Sequence, residues 1–148
     1  IETFYLQTIF KSPVFILKKE LLMIPIFGWY LKKIGSISIK RNKVTKDNLG
    51  FFNDISKQIN ASDRPLIIFP QGTRLSPEER TPFKKGSGRI YEEPIAINSG
   101  NTWPKKGPKK IDKIITISIL EPIEPGLEKN VFLHKLENVI YSELDAIN

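Results

Sequence analysis

The sequence predicts an α/β fold, a mixed and largely parallel sheet flanked by helices, and three observations support that expectation. Short runs of apolar and β-branched residues recur at 14–17, 37–39, 66–69 and 95–97. Stretches with apolar residues three and four apart lie among them, as at 49–59 and 131–147. Pro and Gly punctuate many of the junctions. Apolar runs without alternation suit strands covered on both faces, and strands interleaved with helices build layered α/β architectures.

Residues 2–10 place apolar side chains at 4, 5, 6, 9 and 10, a helical spacing that Pro13 ends. Pro13-Val14-Phe15-Ile16-Leu17 then reads as a buried strand. Residues 21–31, edged by Lys18, Lys19, Lys32 and Lys33, read as a short helical segment broken at Pro25 and stopped by Gly35. Ile37-Ser38-Ile39 alternates as a strand does. Over 45–59, Leu49, Phe52, Ile55 and Ile59 share one side of an amphipathic helix, with Lys46, Lys57 and Gln58 outside. Leu66-Ile67-Ile68-Phe69 is a fully apolar strand of the kind found inside parallel sheets. Residues 83–93 read as a helix, 94–98 as a strand and 99–110 as a loop rich in Gly, Pro and Lys. Residues 111–120 alternate and are expected to be the longest strand. A closing helix over 131–147 carries Phe132 or Leu133, Leu136, Val139, Ile140 and Leu144 on its apolar side.

At 148 residues the chain is expected to be a single domain. The helix ending at Glu93 runs directly into the strand at Pro94, whereas such junctions usually take about 2–6 residues. Residues missing between 93 and 94 are therefore expected. The opening Ile1-Glu2-Thr3-Phe4 lacks Met and a basic leader and begins in mid-pattern, so an incomplete N-terminus is expected too. The longest weakly polar stretch has 11 residues, 21–31, well short of the ~20 that span a bilayer. It reads either as a helix packed on the sheet or as an element dipping into lipid headgroups, with Phe27, Trp29 and Tyr30 between lysine pairs.

The absence of cysteine, with a single histidine, excludes disulfides, a thiol nucleophile, Cys-ligated metals and His-rich metal cages. Lys and Arg number 23 against 16 Asp and Glu, a net charge of +7. That surplus favours phosphates, acidic lipid or nucleic acid. Three strand ends could receive an anion. Phe69-Pro70-Gln71-Gly72-Thr73-Arg74 leaves a strand through a Gly-containing turn, where backbone N–H groups and the Arg74 fork could meet phosphate or carboxylate. Ile37-Ser38-Ile39-Lys40-Arg41 ends a strand in two cations, and Lys18 follows the run 14–17. Singly, each is an ordinary solvated strand end. Together, on one sheet edge, they would form a phosphate site.

The ordered set Phe15-Ile16-Leu17-Lys18-Lys19-Glu20-Leu21, Ile24-Pro25-Ile26-Phe27-Gly28, Gly35-Ser36-Ile37-Ser38-Ile39-Lys40-Arg41, Phe69-Pro70-Gln71-Gly72-Thr73-Arg74, Phe83-Lys84-Lys85-Gly86 and Pro94-Ile95-Ala96-Ile97-Asn98-Ser99-Gly100 resembles the 1-acyl-glycerol-3-phosphate acyltransferase family. The resemblance runs from residue 2 to about residue 120. It implies a glycerolipid acyltransferase-like sandwich, peripheral on or anchored to the cytoplasmic face of a membrane, with no transmembrane helix in this chain. The implied reaction acylates the 2-hydroxyl of lysophosphatidic acid to give phosphatidic acid, using acyl-CoA or acyl-carrier protein as co-substrate. No metal and no cofactor are implied.

By the same resemblance Lys18, Arg41 and Arg74 hold the acceptor's phosphate, assisted by Gly72 and Thr73. Phe69, Pro70, Gln71, Lys85 and Gly86 support the motifs. The family's catalytic pair is a His followed, after four residues, by an acid, and this sequence contains no such pair. The family distance from that acid to Lys18 points to Glu2 as the acid, with its His five residues ahead of Glu2, upstream of residue 1. A neutral imidazole would take the hydroxyl proton, and the carboxylate would fix its tautomer. His134 lies in the closing helix and reads as a surface or helix-packing residue. Without the base the chain alone is expected to be inactive.

Two features depart from the family pattern. Gln71 occupies a position where the family often has Glu, and the short junction at 93–94 shortens the lead into the last motif. Lys105, Lys106, Lys109, Lys110 and Lys113 read as a solvated loop, or alternatively as a contact for anionic lipid or an acyl-carrier partner. The competing function is a non-catalytic phosphate- or nucleic-acid-binding module driven by the +7 charge, with a steep salt dependence. Against nucleic acid, Phe51, Phe52 and Phe69 fall in apolar patterns rather than among the lysines. A degenerate homologue lacking the His is the third alternative.

Overall fold

The computed structural model describes residues 2–39, 55, 57, 64–73, 79–89, 94–104 and 107–148. The chain forms two compact units, Ile1–Phe69 and Pro70–Asn148. The first holds helix α1 (Glu2–Ile9), strand β1 (Val14–Lys18), a 3-10 helix (Lys19–Met23), helix α2 (Phe27–Lys33), strand β2 (Ile37–Ile39) and strand β3 (Leu66–Ile67). The second holds a 3-10 turn (Ser87–Arg89), strand β4 (Ile95–Ile97), strand β5 (Ile117–Ile119) and helix α3 (Lys129–Ile147). The α/β expectation is met by a parallel sheet in one unit and an antiparallel pair in the other.

In the first unit the strand order is β2-β1-β3, with both neighbours parallel to β1. Ile16, Leu17 and Lys18 sit opposite Ile37, Ser38 and Ile39, while Val14 and Phe15 sit opposite Leu66 and Ile67. Central β1 is covered as its composition predicts: Phe15 is fully buried, and Val14 and Leu17 nearly so. Pro13, also buried, ends the α1 connection, and the Val14 N–H donates to the Pro65 carbonyl. Of the helix read over 45–59, only Ile55 and Lys57 are described, both helical, the first buried and the second exposed. The rest of that helix lies outside the described residues.

The segment 19–35 turns back on itself by two devices. Pro25-Ile26-Phe27 forms a positive-φ γ-turn: Ile26 has φ 63° and ψ −55°, and the Phe27 N–H donates to the Pro25 carbonyl at 2.6 Å. A β-branched residue held there costs about 1–3 kcal/mol, which the surrounding contacts must offset. Gly28 is buried, and only glycine fits there, because a Cβ on it would come within 2.1 Å of the Leu22 carbonyl oxygen. Helix α2 then stops at Gly35 (φ 79°) in a Schellman arrangement, with Ser36 N–H donating to Leu31 O and Gly35 N–H to Lys32 O. Arg64 ties this end down by donating to Ile34 O at 2.6 Å and to Ser12 O at 2.8 Å.

The second unit has its own apolar core of Phe83, Ala96, Ile123, Phe132, Leu133, Leu136 and Ile140. Helix α3 supplies four of these at helical spacing, as its sequence predicts, and Glu128 caps it by accepting from Asn130 and Val131 N–H. Strand β4 forms where expected.

Two expectations fail in this unit. Residues 83–89 are not an α-helix: the Phe83 N–H is taken by the Glu137 carboxylate and the Lys84 N–H by the Pro70 carbonyl. Only the single 3-10 turn Ser87–Arg89 forms, with Gly88 against Leu133, and residues 90–93 are outside the described set. Nor do residues 111–120 make the longest strand. Strand β5 has three residues because β4 offers only three partners. Ahead of it, Thr116 N–H donates to the Asn98 side chain and Lys110 N–H to Thr102 O, leaving Ile111 and Ile114 exposed. Among the described residues the longest strand is β1, with five residues.

Candidate functional site

The parallel sheet brings the carboxyl ends of β1, β2 and β3 to one edge, where ligands of parallel sheets bind. Lys18 is the last residue of β1 and is half-buried, level with Ile39 at the end of β2. A lysine at a strand end can bury its methylene stem while its ammonium stays in water. Arg41 follows β2 by two positions and, like Arg74, lies outside the described residues. Beyond β3, the chain passes through Ile68 and Phe69 to Pro70. Glu2 is the first residue of α1, where a carboxylate is favoured by the helix dipole, and it is engaged with a neighbour.

The turn after β3 can be described within the second unit. Gly72 adopts φ 67°, a backbone that few side chains tolerate, and Thr73 is exposed. The Pro70 carbonyl accepts from Lys84 N–H at 2.9 Å, so this turn is held to the segment that leads into Lys85 and Gly86. Lys85 is exposed and, with Gly86, forms a turn rather than the start of a helix. The Gln71 amide donates to the Tyr141 hydroxyl at 3.2 Å. That hydroxyl also accepts from Thr81 N–H at 3.2 Å and donates to Thr81 O at 2.6 Å. Tyr141 packs edge-on against Phe83 and lies under the Arg80 guanidinium, which pairs with Asp145.

The Tyr141 hydroxyl therefore ties Gln71 to Thr81, a contact that sequence reasoning missed. The available signal was a tyrosine beside Ile140 on the apolar side of α3, since a partly buried phenol needs a polar partner. Tyr141→Phe is expected to leave α3 intact while removing three hydrogen bonds around Gln71 and Thr81. Loss of about 1–2 kcal/mol in urea unfolding, with faster amide exchange at Thr81, checks this.

His134 has a side chain 80% exposed on α3, with Nδ1 4.0 Å from Glu137. It is a surface residue, as its position predicts. Among the described residues no cluster of His, Asp or Glu could hold a metal, and no helix is long and apolar enough to cross a membrane.

Residues 2–105 match the family model described as Acyltransferase. The chain is 33% identical over 126 residues to the 1-acyl-sn-glycerol-3-phosphate acyltransferase of Pseudomonas aeruginosa, covering 80% of this chain and 48% of that protein. It is 29% identical to the enzyme of the same name from Helicobacter pylori, covering 97% of this chain and 63% of that protein. Its fold matches the crystal structure of the 1-acyl-sn-glycerophosphate (LPA) acyltransferase PlsC from Thermotoga maritima, with TM-score 0.65, 19% identity, and coverage of 91% of this chain and 56% of that one. The chain thus spans about half to two-thirds of the length of these relatives. The family match extends from the helix that begins at Glu2, over the sheet edge carrying Lys18 and the turn at Gly72, to residue 105, and the chain belongs to the acyltransferase family.

Proposed function

We propose that this chain is the sheet-bearing part of an enzyme that moves an acyl group from acyl-CoA or acyl-carrier protein to the 2-hydroxyl of 1-acyl-glycerol-3-phosphate, at a membrane surface. The observation behind this is the parallel register that sets Lys18 at the carboxyl edge of β1, beside the end of β2, in a chain carrying the family's motifs in order. Lys18, Arg41 and Arg74 hold the acceptor's phosphate, with Gly72 and Thr73 beside it. Fixing the dianion orients the hydroxyl, an effect worth up to several kcal/mol. A histidine five positions ahead of Glu2, outside these residues, removes the hydroxyl proton as the oxygen attacks the thioester carbon. Glu2 holds that imidazole in the right tautomer. The carbon–sulfur bond then breaks, and the imidazolium returns its proton to the departing thiolate.

The +7 charge alone would equally suit a nucleic-acid module, but the similarity to acyltransferases favours a lipid phosphate. Two preparations test the reading: the 148-residue chain, and the chain extended by the residues that naturally precede Ile1. With labelled donor and lysophosphatidic acid, the extended chain is expected to form labelled phosphatidic acid and the shorter one none. An extended chain that folds, carries the histidine and still transfers nothing from either donor would sink the reading.

A further inference from the structure

We propose that residues 23–29 form a membrane-docking wedge, with Met23, Ile24, Ile26 and Trp29 entering the headgroup and upper acyl region of an anionic bilayer. This deepens the membrane-surface part of the function proposed above, but it stands on separate observations. Buried apolar side chains are the norm for a segment so rich in them, yet Ile26 is 84% exposed, Met23 79% and Trp29 65%. Neighbouring apolar side chains exposed together mark an interaction surface. The exposed side chains sit around the γ-turn at Ile26, which holds that side chain outward in a conformation β-branched residues otherwise avoid.

The apolar surface continues onto α1. Phe4 is half-exposed and packs on Phe27 and Tyr30, at ring-centroid distances of 5.7 and 5.2 Å. The Tyr30 hydroxyl donates to the Gln7 amide oxygen, so the two helices hold the patch as one piece.

Charge selects the occupant. Residues 18–33 carry Lys18, Lys19, Lys32 and Lys33 against the single acid Glu20. Lys19, Lys32 and Lys33 are exposed, and Lys33 Nζ lies 4.9 Å above the Trp29 ring. An indole with an ammonium at its side suits the boundary between acyl chains and anionic headgroups, where aromatic rings and snorkelling lysines are favoured. A second copy of the chain is disfavoured: a two-fold contact through this patch would set each copy's lysines against the other's.

The test uses vesicles of phosphatidylglycerol and phosphatidylcholine, with pure phosphatidylcholine for comparison, and the 148-residue chain carrying Trp103→Phe so that Trp29 alone emits. Cosedimentation and a blue-shifted emission quenched by brominated lipid are expected, with binding stronger on the anionic vesicles. Ile26→Ser with Trp29→Ser is expected to lower vesicle partitioning in cosedimentation by about tenfold or more, with an unchanged circular dichroism spectrum. Lys32→Gln with Lys33→Gln is expected to abolish the preference for anionic lipid while leaving the emission shift on saturating lipid. Vesicle binding that survives the Ile26/Trp29 variant overturns the wedge. So does an emission spectrum that lipid does not shift, or concentration-dependent dimerisation that buries Trp29 without lipid. Because no readout requires acyl transfer, a chain that docks as described but whose extended form transfers nothing would refute the proposed reaction and leave the wedge standing.

Discussion

Phe132→Ala is expected to destabilise the Pro70–Asn148 unit by about 3–5 kcal/mol, the range for removing a phenyl ring from a closed core. Phe132 is 1% exposed and belongs to the core formed by α3 with Phe83, Ala96 and Ile123. Helix α3 cannot shift to close the gap, because Glu128 caps its start, Glu137 holds the Phe83 N–H and the backbone carbonyl of Ile147 accepts from the buried Asn98 amide. A whole domain usually has about 5–15 kcal/mol in hand, so this one substitution would consume much of it. Urea unfolding followed by circular dichroism should show a lower midpoint, and amides of β4 and α3 should exchange faster. Val131→Ala, one position earlier and half-exposed, serves as the control, expected within about 0.5 kcal/mol of the parent. A Phe132→Ala midpoint as close to the parent as that control would mean that this cluster is not what holds the unit together.

The difference between those two neighbours was readable in advance, because helix α3 announces its buried side through the spacing of Phe132, Leu136 and Ile140. Strand β1 was readable for a similar reason: a four-residue apolar run between Pro13 and a lysine pair has few other ways to be buried. Failures occur where a segment's partners lie far away in sequence. Residues 83–89 have acceptable helical spacing, but the groups that claim their N–H donors are Glu137 and the Pro70 carbonyl. Residues 111–120 alternate well, but a strand is only as long as its neighbour, and β4 has three residues. Of the candidate site, the strand end at Lys18 was legible from local pattern. The support that Tyr141 gives to Gln71 was not, since it joins residues 70 positions apart. The exposed turn at Ile26 was half-legible: aromatics between lysines allowed a lipid contact, but only the backbone conformation shows which side chains are turned outward.

Lys18→Met is expected to weaken binding of a short-chain, water-soluble 1-acyl-glycerol-3-phosphate by about 10- to 100-fold. A charge-assisted hydrogen bond to a phosphate oxygen is worth about 1.5–3 kcal/mol, and each 1.4 kcal/mol is about tenfold. Methionine preserves the apolar stem that a half-buried strand-end lysine lays along the sheet, and the β1–β2 pairing at Ile39 uses backbone groups, so the fold should survive. The lost charge is then the main change. Titration calorimetry on the 148-residue chain reads it without any need for turnover. Three companion measurements separate a phosphate contact from a general loss of basicity. The neutral 1-acylglycerol should bind the parent and variant alike, Lys19→Met at the exposed next position should change little, and raising the salt should narrow the gap between parent and Lys18→Met. Equal affinities of the parent and Lys18→Met for the phosphate ester would remove Lys18 from the anion site.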